Sequence, residues 1–62
     1  MHTLYLRDFP LDAESALLAL AVDYSIEGYN IDGEIQWQLR WEDASYSILI
    51  ELIFGEHTVA SG

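Results

Sequence analysis

The chain is expected to fold as an α+β domain, a single helix packed on a small, mostly antiparallel sheet of three to four strands. Three observations predict it. Residues 34–42, "EIQWQLRWE", alternate apolar and polar side chains, the period of a half-buried strand. Asp32-Gly33 immediately precedes that run, and an Asp-Gly pair between alternating segments marks a hairpin. "LDAESALLALAV" is instead rich in alanine and leucine, which favour helix.

Residues 2–7 read as a first strand, with Leu4 and Leu6 on one face and Thr3, Tyr5 and Arg7 on the other. Phe9-Pro10 ends it, because proline has no amide donor and restricts the residue before it. In the helix that follows, Asp12 is the expected N-cap and Glu14 suits the positive end of the dipole. Leu17, Leu20, Ala21 and Tyr24 fall at i, i+3, i+4 and i+7, a buried stripe widened by Leu18. Gly28 serves as the left-handed residue past the helix end, near 25–27, and a short strand covers 29–31. "YSIEGYNI", residues 24–31, also admits a second reading, a strand paired across Asp32-Gly33.

Beyond the hairpin, Ile35, Trp37, Leu39 and Trp41 point towards the helix. Glu34, Gln36, Gln38, Arg40 and Glu42 point away. "EDAS" makes a tight turn, and "YSILIELIF" returns as an antiparallel strand. Tyr46, Ile48, Ile50, Leu52 and Phe54 then share one face, and Ser47, Leu49, Glu51 and Ile53 the other. The order is β-α-β-β or β-α-β-β-β in one domain over residues 1–62, with 55–62 a small, polar tail expected to fray.

Composition narrows the function. At 62 residues the chain buries only about 60% of its unfolded surface, and with no cysteine it has neither disulfides nor thiolate metal sites. Its hydrophobic fraction of 52% is more than so small a body hides easily, so a homodimer, or a partner protein covering the excess, is expected. No apolar run reaches the roughly 18 residues of a membrane helix, and the N-terminus lacks the basic region of a signal peptide; a cytoplasmic, non-membrane protein is expected. Eleven acids against two arginines and no lysine give a formal charge of −9. Direct contact with nucleic acid needs a basic footprint, and this chain has none.

No catalytic constellation stands out, and the chain is read as a non-enzyme with no cofactor. His2 and His57 are expected as solvent-exposed residues near the two ends. "GYNIDGE" fails as a calcium loop, because aligning Gly33 to the obligatory glycine places Gly28 and Leu39 at ligand positions. Trp37 and Trp41 are read as core residues under the helix, and as binding anchors only if the helix covers the other half of the sheet. Leu49 and Ile53 flank Glu51 on the expected wet face; they either pack beside the first strand or form an apolar dimer or partner patch.

The acids admit a sharper reading. Residues i and i+2 of a strand lie roughly 6.7 Å apart, about twice the axial rise per phosphate of one DNA strand. Glu34, Glu42 and Glu51, with Asp43 at the turn and Gln36 and Gln38 as hydrogen-bonding neighbours, would lay out a negative track. In shortness, net charge, missing cysteine and helix-plus-sheet pattern the chain resembles the small acidic phage-encoded inhibitors, including DNA-mimic anti-CRISPR proteins and uracil-DNA glycosylase inhibitors. The resemblance covers the whole chain and assigns no individual residue a role. It implies a non-enzymatic inhibitor binding a basic nucleic-acid-handling protein, such as a CRISPR effector, in competition with nucleic acid. The alternative is a small homo-oligomeric structural or assembly module with a non-specific acidic surface.

Overall fold

The computed structural model describes residues 1–59. Strand β1 (His2–Leu6) leads into helix α1 (Leu11–Ala19), then strands β2 (Tyr24–Ile31) and β3 (Glu34–Trp41), and finally helix α2 (Ser47–Phe54). Short 3-10 turns, Ala44–Tyr46 and Gly55–His57, flank α2. The sheet is antiparallel throughout, in the order β1-β3-β2, with β3 central. The α+β class and the three-stranded antiparallel sheet are as expected from the sequence. A second helix replaces the anticipated final strand.

The hairpin forms where Asp32-Gly33 places it. Both turn residues have positive φ, 52° and 86°, as the mirror-image turn that suits twisted strands demands. Asn30 reinforces it, its Oδ1 accepting from the Gly33 amide at 3.0 Å. The register pairs Ile31 with Glu34 and runs unbroken to Tyr24 opposite Trp41. Residues 24–31 are therefore one strand, the second of the two readings.

Helix α1 stops early for a local reason. Ala21 is left-handed at φ 56°, the Ala21 amide donates to the Leu18 carbonyl at 3.1 Å, and the Val22 amide donates to the Leu17 carbonyl at 3.1 Å. This pair of bonds is a Schellman closure, with Leu17 and Val22 forming its buried apolar contact. Gly28 is thus no helix terminator but a mid-strand residue. Asp12 is likewise not the cap: Pro10 occupies that position, and Asp12 Oδ1 accepts from the adjacent Ala13 amide. The buried stripe is Ala13 and Leu17, while Leu18 and Leu20 are exposed. A left-handed alanine is disfavoured by about 1–2 kcal/mol, part of which glycine returns as unfolded-state entropy. Ala21→Gly is accordingly expected to stabilise the domain by about 0.5–1 kcal/mol, read as a higher urea midpoint at unchanged m-value.

Topology explains why "YSILIELIF" is not a strand. A tight turn after Trp41 would fold the chain back onto β3, and both edges of β3 are already taken by β1 and β2. The segment leaves the sheet instead. Asp43 opens the change of direction, its Oδ1 accepting from the Ser45 amide at 3.0 Å and the Ser45 hydroxyl at 2.7 Å. These bonds hold the Asp43 carboxyl below its ordinary range. Along α2 and its flanking turns the covered residues Tyr46, Ser47, Ile50, Ile53, Phe54 and His57 fall at i, i+1, i+4, i+7, i+8 and i+11, a helical stripe.

The core is Leu6, Ala13, Leu17, Val22, Leu39, Trp41, Ile50 and Phe54. Leu6, Leu39 and Trp41 share one sheet face, so both helices lie on that side. Phe9 stacks on Phe54 with ring centroids 5.6 Å apart, and Trp41 Nε1 donates to Ser47 Oγ at 3.0 Å, joining sheet to α2. The segment expected to fray is bonded as far as it is described: Thr58 bridges to Leu6, the Arg7 amide donates to the His57 carbonyl at 2.9 Å, and the Val59 amide donates to the Tyr5 carbonyl at 3.0 Å. The rest of that segment, 60–62, lies outside the described residues.

Candidate functional site

With both helices on one side, the opposite face of the sheet is open. The register sets out its rows: Thr3, Arg40 and Ser25; then Tyr5, Gln38 and Glu27; then Gln36 beside Tyr29; and Glu34 beside Ile31. Glu34, Gln36 and Gln38 therefore stand where the alternation places them, and Glu42 continues the same row beyond the end of β3. Eight residues separate Glu34 from Glu42, about 26 Å at the usual strand rise.

Three expected members do not join them. Glu51, Leu49 and Ile53 belong to α2, in the helical layer behind the sheet. Glu51 and Leu49 are exposed there, whereas Ile53 packs against the core. Leu49 and Ile53 therefore do not flank Glu51 on a wet strand face: one helical turn apart on α2, Leu49 is exposed and Ile53 is half-buried against the core. Asp43 sits past the sheet end with its carboxylate turned onto Ser45.

The open face also holds side chains outside the expected contact set, Glu27 among them, which was expected on the exposed side of the helix. Glu27 Oε1 lies 3.4 Å from Arg40 Nη1, and Glu27 Oε2 accepts from the Tyr29 hydroxyl at 2.8 Å. Arg40 also donates to Gln38 Oε1. The middle of the face is consequently a near-neutral hydrogen-bonded group, Glu27-Arg40-Gln38-Tyr29, and the free carboxylates are end-loaded. Asp32-Gly33 would have located Glu27, because a two-residue turn there sets Glu27 directly across from Gln38. Arg7, the other cation, reaches the Glu56 carbonyl. Glu42 lies 3.6 Å from the Met1 ammonium, both well exposed, a contact of little energetic weight.

The histidines are not the free end residues anticipated. His2 stacks on Trp41 at 5.7 Å, and His57 Nδ1 lies 2.8 Å from Asp8 Oδ1. Tyr24, at the rim of the core, donates to Glu14 Oε2 at 3.0 Å; desolvation, aided by that carboxylate, pushes its hydroxyl above the ordinary tyrosine range. The two tryptophans part company. Trp41 is buried, while half-buried Trp37 lies at the margin of the helical layer against Phe9. Beyond it, Trp37, Ile35, Gly28, Tyr29 and Asn30 line an open groove of about 350 Å³ without a carboxylate or imidazole. A smaller hollow of about 120 Å³ at the other end is lined by Met1, Asp23, Tyr24, Ser25, Arg40, Trp41 and Glu42.

Among the described residues no three His, Asp or Glu side chains converge as a metal site. No described helix is long and apolar enough to cross a membrane. No protein-family model matches the chain, and no curated protein or solved structure is significantly similar to it.

Proposed function

We propose that this chain is a non-enzymatic inhibitor that seats its open sheet face on a basic nucleic-acid-handling protein, of the kind a CRISPR effector presents, and competes there with nucleic acid. The observation that carries the reading is an uncovered sheet face with carboxylates at both ends on a chain of charge −9. Glu34 and Glu42, about 26 Å apart, match a run of about eight phosphates along one strand. Gln36, Gln38, Tyr5 and Tyr29 between them supply hydrogen-bonding and stacking groups at fixed positions. Asp43 lengthens the acidic end, whereas Glu51 on the far side adds only to long-range attraction.

The test is competition between this chain and duplex DNA for a purified basic DNA-binding effector, read as affinity against salt. Raising salt from about 0.05 to 0.5 M is expected to weaken the complex at least tenfold, because screening shortens the reach of each charge. Glu34→Gln with Glu42→Gln should weaken it further at low salt, while Glu51→Gln leaves it nearly unchanged. A complex indifferent to salt, or equally sensitive to all three positions, overturns the sheet-face assignment.

A further inference from the structure

The outer surface of the helical layer is aliphatic where a monomer would be polar. Leu11 and Leu18 of α1 are 79% and 64% exposed, and Ile48 and Leu52 of α2 are 73% and 74% exposed. These are not stray residues on an inward face. Leu11 and Leu18, spaced i and i+7, lie opposite the buried Ala13 and Leu17; Ile48 and Leu52, spaced i and i+4, lie opposite the buried Ile50 and Phe54. Both helices pack on the same sheet face and touch each other, so both outward stripes look away from the sheet. In α2 the two polar residues, Ser47 and Glu51, share one narrow side at i and i+4; every other residue of "SILIELIF" is apolar, a wider apolar surface than the buried stripe uses.

We infer that this helical surface is the contact between two copies of the chain, with Leu11, Leu18, Ile48 and Leu52 at its centre and Leu49 beside them. Three considerations select a second copy. The patch is wholly aliphatic, without the Trp, Tyr or Arg anchors that dominate contacts between unlike proteins, and it resembles a domain core cut in half. Its area suffices: these side chains expose on the order of 500 Å² per copy, so a pair buries about 1,000 Å², the lower bound of a specific interface. The monomer also needs it, since eight buried side chains among the described residues make a small core and chains of this size commonly gain a staple by association. Asp12 and Glu51 stand at the rim with no cation to meet, so repulsion between two chains of −9 opposes the pairing and salt relieves it. The inference does not rest on the inhibitor reading: it uses the opposite face, and its salt dependence has the opposite sign.

Sedimentation equilibrium of the wild-type chain at about 0.05 and 0.5 M NaCl tests it. A dimer is expected, several-fold tighter at the higher salt. Leu18→Glu with Leu52→Glu should raise the dissociation constant at least about a hundredfold, while Ile31→Lys, exposed on β2 of the sheet, leaves it within a few-fold. Isotope-filtered NMR on mixed labelled and unlabelled wild-type chains needs no variant, and should show intermolecular contacts at the Leu18, Ile48 and Leu52 methyls. A chain monomeric at every concentration, a dimer lost with Ile31→Lys, or intermolecular contacts confined to β2 each overturns the inference.

Discussion

Phe54→Ala is expected to leave the chain largely unfolded at 25 °C. Phe54 is fully buried in α2, stacked on Phe9 and enclosed by the sheet. Truncating a buried phenylalanine costs roughly 3–5 kcal/mol, because the void does not close completely. A domain of this length holds only about 3–9 kcal/mol in total. Far-UV circular dichroism in urea should show a lost or strongly shifted transition. Leu52→Ala, two residues away, makes the contrast sharp. A strand would place both side chains on one face, whereas the helix leaves Leu52 outside, and its truncation should move monomer stability by no more than about 0.5 kcal/mol at high dilution. Equal effects at the two positions would refute the helix.

Gly28→Val should cost about 1–3 kcal/mol although valine favours strands. The cause is the residue opposite. A Cβ at Gly28 would stand 2.9 Å from Cζ3 of the Trp37 ring, 3.2 Å from Cε3 and 3.3 Å from Cη2, inside ordinary contact distance. Trp37 lies flat across the glycine, and any side chain there must lift the indole off the strand. The groove beside Trp37 would change shape with it. Tryptophan fluorescence should report the displaced ring, and Trp37→Leu in the same chain should restore part of the lost stability. Gly55→Ala serves as the control: its Cβ would meet nothing within 4 Å and its φ of −53° suits any residue. If both glycines tolerate substitution equally, the close approach to Trp37 is wrong.

These two positions also mark where the amino-acid order was legible and where it was not. Alternation over 34–41, the Asp32-Gly33 turn and the first strand all stand in the structure as read, because period two and turn chemistry are local properties. Gly28 was misread as a helix terminator because its reason for being glycine lies nine residues away, in the Trp37 ring. Residues 46–54 were misread because a nearly continuous apolar run satisfies either period. What decides between them, the occupancy of both edges of β3, is a property of the whole sheet. The same error scattered the proposed contact set. Glu34, Gln36, Gln38 and Glu42 were placed correctly by their own strand, while Glu51, Leu49 and Ile53 were assigned to a strand that does not exist. The Glu27-Arg40 pair was within reach, since it follows from extending the hairpin register. The Ala21 closure was not, because alanine announces no left-handed turn.

The double grip on β1 has a kinetic consequence. Leu6 meets Trp37 on one side and Thr58 on the other, partners 31 and 52 positions further along. A hairpin such as β2-β3 closes in about 1–10 μs, but contacts across such long loops must wait until their ends have met. β1 precedes both partners in the chain, so it waits first for β3 and then for residue 58 before its second edge is closed. For that interval the second edge of β1 is open to any neighbouring strand, so mispairing of β1 is the error this order of assembly invites.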